Sequence, residues 1–300
     1  MPVALPVRRF SLALVLAVLA LLPGPAAVQA EPRSGAPAPP PVSARAWLVA
    51  DADTGEVLAA HDAHRRLPPA STLKILLALT LLPKFDGDRT HVVTESELAG
   101  VGEGSSVVGL EEGGEYRLSD LWNGLFLRSG NDAAHVLAEL NGGWERTAED
   151  MTALAGALGG RDTTVVSPDG YDAAGQASSA HDLALFAVHG LHNPEFAGYA
   201  GTAAARFPAG GPLIHNTNRL LTGRDGVRRY PGLIGVKNGY TSRAGNTLVA
   251  AARRDGRTLV VSLLDPRSGV PNAVYEETRT LLDWGFTAAG RVRPVGALGS

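Results

Sequence analysis

Two groups of strand-like segments lie at opposite ends of the chain, with helix-periodic segments between them. Ala46-Trp47-Leu48-Val49-Ala50 reads as a strand, Asp53-Thr54-Gly55 as a turn, and Glu56 to Ala60 as the returning partner of a hairpin. The run after Lys74, through Leu79, is apolar on almost every side, so the helix headed by Ser71 and Lys74 is predicted to be buried, with Pro68 and Pro69 at its start and Pro83 at its end. It is too short to span a membrane. Thr90 to Val93 reads as a short strand and Glu103 to Gly114 as a loop. Ser119 and Asp120 are placed to cap a helix running through Leu127, and a polar knot, Ser129-Gly130-Asn131-Asp132, separates it from a further helix, Ala133 to Leu140. Thr147 to Leu158, with Met151, Leu154 and Leu158 on one face, and Ser179 or Ala180 to Leu191, with Asp182 near its start, complete the helical middle.

From Leu233 the pattern changes. Leu233 to Lys237 is a short apolar strand, and Asn238-Gly239 signals a turn or bulge after it. Thr247 to Ala252 and Thr258 to Leu264 are apolar strands joined across Asp255-Gly256, a strong hairpin turn. Asn272 to Trp284 predicts a helix with Val274, Thr278, Leu281 and Leu282 inward. Strands, helices, then strands and a helix predict an α/β (α+β) fold: an antiparallel sheet built from both chain ends and flanked by helices, with an all-helical subdomain inserted at roughly 95–205. A cleft is expected where the two parts meet.

Composition narrows the class. The 300 residues are 45% hydrophobic and 19% charged, as in an ordinary globular protein. A formal charge of −3 gives no reason to expect a nucleic-acid partner. The absence of cysteine excludes disulfides, thiolate-held zinc and thiol catalysis. Residues 1–30 read as a secretory signal: Arg8 and Arg9, the apolar run Phe10 to Leu22, then a break at Pro23-Gly24-Pro25 and a small-residue end at Ala30. An exported, extracytoplasmic protein of the cell envelope or medium is expected. Residues 31–43 form a Pro/Ala-rich linker, 44–290 the folded domain and 291–300 a tail. No second apolar span follows the signal, so membrane attachment is not indicated beyond it.

Ser71 and Lys74 carry the first candidate chemistry. Three residues apart at a helix start, they share one face, and a lysine set against a core loses its charge more readily. A neutral amine beside a hydroxyl is a general base beside a nucleophile. The plain alternative is a capping serine with a lysine that reaches for water. The chain counts only three lysines, Lys74, Lys84 and Lys237, against 24 arginines. Surface cations are supplied by arginine, which cannot deprotonate, so a lysine at 74 points to its chemistry. Ser129-Gly130-Asn131-Asp132, taken alone, reads as helix–helix turn chemistry. His61 and His64, with Asp62 between, read as a solvated loop, because no third metal ligand lies nearby. No metal and no cofactor are expected.

Taken together, Ser71-Thr72-Leu73-Lys74, Ser129-Gly130-Asn131 and Lys237-Asn238-Gly239 match, in order, the three-part signature of penicillin-binding enzymes. From about Ala46 to about Gly285 the chain resembles the D-alanyl-D-alanine carboxypeptidase family of low-molecular-mass serine peptidases. The likeness extends to Asp53-Thr54-Gly55, Ser167-Pro168-Asp169-Gly170, Thr217-Asn218-Arg219-Leu220-Leu221 and Tyr240-Thr241. It implies the β-lactamase/DD-peptidase-like fold and a Ser71 acyl-enzyme formed on the D-Ala-D-Ala end of a peptidoglycan stem peptide, with β-lactams as inhibitors. Lys74 would take the Ser71 proton and Ser129 pass it to the leaving amine. Asn131, Lys237, Asn238, Gly239, Tyr240 and Thr241 would bind substrate, with the Ser71 and Tyr240 N–H groups as oxyanion hole. Lys237 would draw the substrate carboxylate and hold Lys74 neutral by repulsion.

The chain departs from the family pattern at Asn238, where threonine is usual, and at Leu73, where Thr or Met is common. It also lacks the additional C-terminal β-domain of some members. The E-x-x-L-N stretch by which a common class of serine β-lactamases activates water is absent; Glu139-Leu140-Asn141 lacks the spacing. Transpeptidation, β-lactam hydrolysis, or non-catalytic peptidoglycan binding or β-lactam sensing on the same fold are the competing readings.

Overall fold

The N-terminal hairpin forms where its alternation places it, in a computed structural model that describes Met1 and residues 37–299. The signal reading, beyond Met1, and the linker's residues 31–36 lie outside the described residues. In chain order the elements are β1 (Ala44–Asp51), β2 (Glu56–His61), α1 (Lys74–Leu81), β3 (Thr90–Val92), α2 (Glu95–Leu98), β4 (Glu115–Arg117) and α3 (Leu118–Leu127). Then come α4 (Asn131–Leu140), α5 (Trp144–Ala157), α6 (Ala180–Leu191), α7 (Pro194–Gly201), β5 (Ala204–Arg206), β6 (Leu213–His215) and α8 (Arg219–Thr222). The last are β7 (Leu233–Thr241), β8 (Gly245–Arg254), β9 (Arg257–Pro266), α9 (Ala273–Ala288) and β10 (Gly296–Ala297).

The main sheet runs β10-β2-β1-β9-β8-β7, antiparallel at every pairing, so both chain ends contribute to it as expected. Side chains alternate across it. Ala46, Leu48 and Ala50 join one core with α1 and α6, while Trp47 and Val49 join a second core with α9. The first core runs on without a break into Leu121, Leu125 and Val136 of the helical region, so the inserted helices share their interior with the sheet. Ile75, Leu76 and Leu77 of α1 have no exposed surface. At about 1.5–3 kcal/mol per buried aliphatic side chain, they fix the helix that begins at Lys74.

Several boundaries differ from the pattern-based reading. Residues 291–300 are not simply a tail: Gly296 and Ala297 pair with Val57 and Glu56 as a sixth strand. The described end of the linker, 37–43, is docked: Trp284 Nε1 donates to the Pro37 carbonyl at 3.0 Å, and the Glu277 carboxylate takes the Ser43 hydroxyl at 2.5 Å. Neither Ser119 nor Asp120 is an N-cap. The helix starts one residue before them, and Asp120 reaches back from its first turn to accept the Arg117 N–H at 3.3 Å. Among the described residues no helix is long and apolar enough to cross a membrane.

Candidate active site

Ser71 and Lys74 meet across a tighter turn than an α-helix supplies. Ala70–Leu73 is a 3-10 turn that hands over to α1 at Lys74, and in a 3-10 turn positions i and i+3 eclipse. Lys74 Nζ lies 2.9 Å from Ser71 Oγ. Ala70 is held left-handed, at φ +50°, and Gly170 presses on it so closely that a Cβ there would lie 2.1 Å from the Ala70 carbonyl oxygen. The Pro69 carbonyl accepts the Thr72 and Thr247 hydroxyls at 2.5 and 3.0 Å, tying the turn to β8.

Lys74 is 1% exposed, and its nitrogen has three partners: Ser71 Oγ, Asn131 Oδ1 at 2.6 Å and the Asp169 carbonyl at 2.5 Å. An ammonium donates to all three. A neutral amine donates to Asn131 and Asp169 and offers its lone pair to the Ser71 hydroxyl. Losing one proton therefore reverses the Ser71–Lys74 hydrogen bond and leaves the other two in place. Burial pushes the amine down from its usual 10.5 to about 8, while the carboxylates of Asp169 and Asp132 pull it back up.

Between α3 and α4 the chain turns through Ser129 in the left-handed region, at φ +59°, a strained state for a residue with a side chain. Ser129 faces the cleft, and Asn131 opens α4. Asn131 Nδ2 donates to Ser105 Oγ at 2.9 Å, and its backbone N–H donates to the Ser106 carbonyl at 2.8 Å. The Asp132 carboxylate gathers the backbone N–H groups of Val108, Gly109 and Leu110, moulding the 105–110 loop against the site.

The third stretch lies within β7, the sheet edge beside the Ser71 turn. Asn238-Gly239 is not a turn: the strand runs on to Thr241, and the irregularity falls between Leu233 and Gly235. Close approach explains the glycine. A Cβ on residue 239 would lie 2.7 Å from the Ser71 nitrogen and 2.7 Å from Thr247 Oγ1. Asn238, Gly239, Tyr240 and Thr241 line the cleft, whereas Lys237 is 1% exposed and donates to the Asn238 carbonyl at 2.8 Å. Burial, and after it the charge of Lys74, pushes the Lys237 amine well below its usual value. Repulsion between the two amines acts on both alike, and burial is the larger cause of the lowering at each.

Asn238 Oδ1 accepts the Thr217 hydroxyl at 3.0 Å, which turns its amide nitrogen into the group it can offer a ligand. The Thr241 hydroxyl donates to Asp172 Oδ1 at 2.7 Å instead of standing ready for one. All nine candidate residues thus gather around one cleft of about 1080 Å³: seven line it, and Lys74 and Lys237 lie buried behind its surface. Sequence reasoning gave no role to Asp169, Asp172, Ser105 or Arg219, although Asp169 and Arg219 lie in stretches that carry the family likeness. Arg219 lines the cleft beyond Thr217, held by Asp225 at 3.2 Å and by the Asn272 side chain. The Gly170 that follows Asp169 was the available signal of a backbone passing close to the nucleophile. His64 pairs with Asp162 at 2.8 Å, and among the described residues no group of three metal-ligating side chains forms.

A family model described as D-alanyl-D-alanine carboxypeptidase matches residues 33–268. D-alanyl-D-alanine carboxypeptidase DacB2 of Mycobacterium tuberculosis is 40% identical over 263 residues, covering 86% of each chain. DacD of Escherichia coli is 33% identical over 262 residues, covering 83% of this chain and 64% of that one. Among solved structures, a D-alanyl-D-alanine carboxypeptidase from M. tuberculosis superposes with a TM-score of 0.79 at 38% identity, over 90% of this chain and 99% of that one. A Streptomyces DD-transpeptidase variant gives 0.75 at 27% identity, over 82% and 99%.

Proposed function

Because the chain belongs to the D-alanyl-D-alanine carboxypeptidase family, we propose that this cleft removes the terminal D-alanine from peptidoglycan stem peptides through a Ser71 ester. The protein is a serine-type hydrolase of the penicillin-binding group. One observation carries the assignment of residues: a buried amine, lowered to about 8, lies 2.9 Å from the hydroxyl that opens onto the cleft.

The chemistry follows from that pair. Ser71 Oγ gives its proton to neutral Lys74 and bonds to the carbonyl carbon between the two D-alanines. The carbonyl oxygen becomes an oxyanion facing the backbone N–H groups of Ser71 and Tyr240, each worth about 3 kcal/mol in the transition state. The C–N bond then breaks, and the departing amine takes the proton from Lys74 by way of Ser129. Water attacks the ester in turn and frees Ser71. The substrate's terminal carboxylate lies toward Asn238 Nδ2, with the Arg219 guanidinium, paired to Asp225, farther along the same wall. A β-lactam enters as the same acyl donor and stays bound, because the chain lacks the E-x-x-L-N stretch that would activate a deacylating water.

The likeness to a DD-transpeptidase supports a second outcome from the same ester, transfer to an amine in place of water. The two reactions share every step up to the ester. The signal-like pattern of residues 1–30 supports export, with the reaction on the outer side of the cytoplasmic membrane.

The test mixes the protein with labelled penicillin and with a D-Ala-D-Ala peptide. Wild type is expected to label at one site and release D-alanine, and Ser71→Ala to do neither. A Ser71→Ala variant that still labels and still releases D-alanine overturns the assignment.

A further inference from the structure

The segment from Ser167 to Gln176 crosses the cleft like a strap, and its anchors lie on the reacting groups or on the walls around them. The Asp169 carbonyl holds Lys74 Nζ, and Gly170 backs the Ala70–Ser71 turn. Tyr171 donates its hydroxyl to the Glu103 carbonyl at 3.0 Å, on the helical wall. Asp172 reaches the opposite wall. Its Oδ1 accepts Thr241 Oγ1 at 2.7 Å, and its Oδ2 accepts Ser242 Oγ at 3.3 Å and the Arg243 N–H at 3.2 Å. Thr241 Oγ1 also accepts the Ala244 N–H at 3.0 Å, so one carboxylate organises the whole turn from β7 to β8.

The strap is itself braced. Asp169 Oδ1 accepts Ser167 Oγ at 2.6 Å and the Tyr171 N–H at 2.8 Å. Gln176 accepts the Val166 and Ser167 N–H groups and donates to the Tyr171 carbonyl at 2.8 Å. Asp172 is therefore presented from a loop whose neighbours are already fixed to Lys74 and Ser71.

No hydrogen bond of Asp172 reaches Ser71, Lys74 or Ser129. Its contacts act on the end of β7, where Tyr240 immediately precedes Thr241. We propose that Asp172 is a positioning residue for acyl transfer: by clasping Thr241, Ser242 and Arg243 it holds the end of β7, and with it the Tyr240 N–H, in register with Ser71. The inference rests on the serine-ester reading of the site. It also gives Thr241 a different part, as the handle of this clasp.

The side chain must be a carboxylate for a simple reason. Three donors converge on two oxygens, and an amide would turn an NH2 group toward one set of them. Asp172→Asn keeps one acceptor, Asp172→Ala keeps none, and Thr241→Val removes the strongest single link.

Fluorescent-penicillin acylation is followed by stopped flow in wild type, these three variants and the Asp172→Ala/Thr241→Val double variant. Rates are normalised to the titrated fraction of reactive sites, and thermal unfolding is recorded beside them. Asp172→Ala is expected to lower the acylation rate constant about 10- to 100-fold with little change in half-saturating penicillin, the scale of a misplaced oxyanion donor. Asp172→Asn and Thr241→Val are expected to lose about 3- to 10-fold each and carry the test if Asp172→Ala does not fold. The double variant should be about as slow as Asp172→Ala alone, because both changes cut one link. Wild-type rates in the variants, losses confined to half-saturation or to the reactive fraction, or fully additive losses would overturn the inference. Wild type that takes up no label would sink the functional reading and this inference with it, whereas normal labelling by both wild type and Asp172→Ala sinks the inference alone.

Discussion

Lys74 donates to the backbone carbonyl of Asp169, not to its carboxylate, which is engaged by Ser167 and Tyr171. A carbonyl gains no charge across the working pH range. The amine is thus held in place by an acceptor that does not titrate, and its proton equilibrium is set chiefly by burial.

The pH dependence follows with a definite sign. Lys74 must be neutral to accept the Ser71 proton, and its pKa is lowered from 10.5 to about 8. The competent fraction therefore rises as pH increases through 8 and falls about tenfold per unit well below it. Penicillin acylation of the free enzyme should show an acid limb centred near pH 8. Lys74→Arg, which cannot deprotonate, should lose about 10²- to 10⁴-fold at every pH. A flat profile between pH 6 and 9 (~three units around the expected midpoint) would contradict the assignment of Lys74 as base.

Asn131→Asp gives a matched test. The substitution sets a carboxylate where Oδ1 now lies 2.6 Å from Lys74 Nζ. An adjacent opposite charge stabilises the ammonium, typically by about 1–3 pH units. The acid limb should move to higher pH by that amount, and an unmoved limb would mean that Asn131 does not govern the base.

Gly239→Ala should slow acylation by about tenfold or more while the protein remains folded. The added methyl must displace the backbone of the Ser71 turn, its nearest neighbour at 2.7 Å, and sub-ångström displacement of a nucleophile is costly. Stopped-flow acylation together with a thermal melt separates this outcome from simple unfolding.

Asn238→Ala removes the amide proposed to meet the substrate's carboxylate end. A hydrogen bond to a charged group contributes about 1.5–3 kcal/mol, so KM for a D-Ala-D-Ala peptide should rise about tenfold or more, with kcat changed by only a few-fold. Loss confined to kcat would show that Asn238 serves the reacting centre instead.

Penicillin should remain bound as a slowly hydrolysed ester, and Glu139→Ala should leave its lifetime unchanged, because Glu139 is exposed on α4. Mass spectrometry of the adduct over hours checks this. Rapid turnover in wild type would place the chain's chemistry with the β-lactamases.

What could be read from the chain was whatever side-chain type and spacing encode. The Asp255-Gly256 hairpin forms with both residues at positive φ, and Val274, Thr278, Leu281 and Leu282 of α9 are buried as their spacing requires. The three polar stretches could be identified because hydroxyl, amine and amide are needed as such. Asp169 was given no role because its hydrogen bond to Lys74 comes from a carbonyl, which every residue possesses. Asn238-Gly239 misled because the pair is a frequent turn former, and only the proximity of Ser71 reveals why a glycine sits inside a straight strand. Asp120 misled in a similar way, since a carboxylate in the first turn can satisfy a helix start from inside as well as from the cap position.

The cleft wall at Asn238 to Thr241 is the last strand of its sheet. A guest peptide laid along it is read by amide outline more than by side chain, much as a seventh strand would be. Any compound whose own amide copies that outline passes the same inspection. The chain therefore cannot shed its susceptibility to such mimics by changing surface residues alone, because the feature they exploit is the main chain that admits its natural guest.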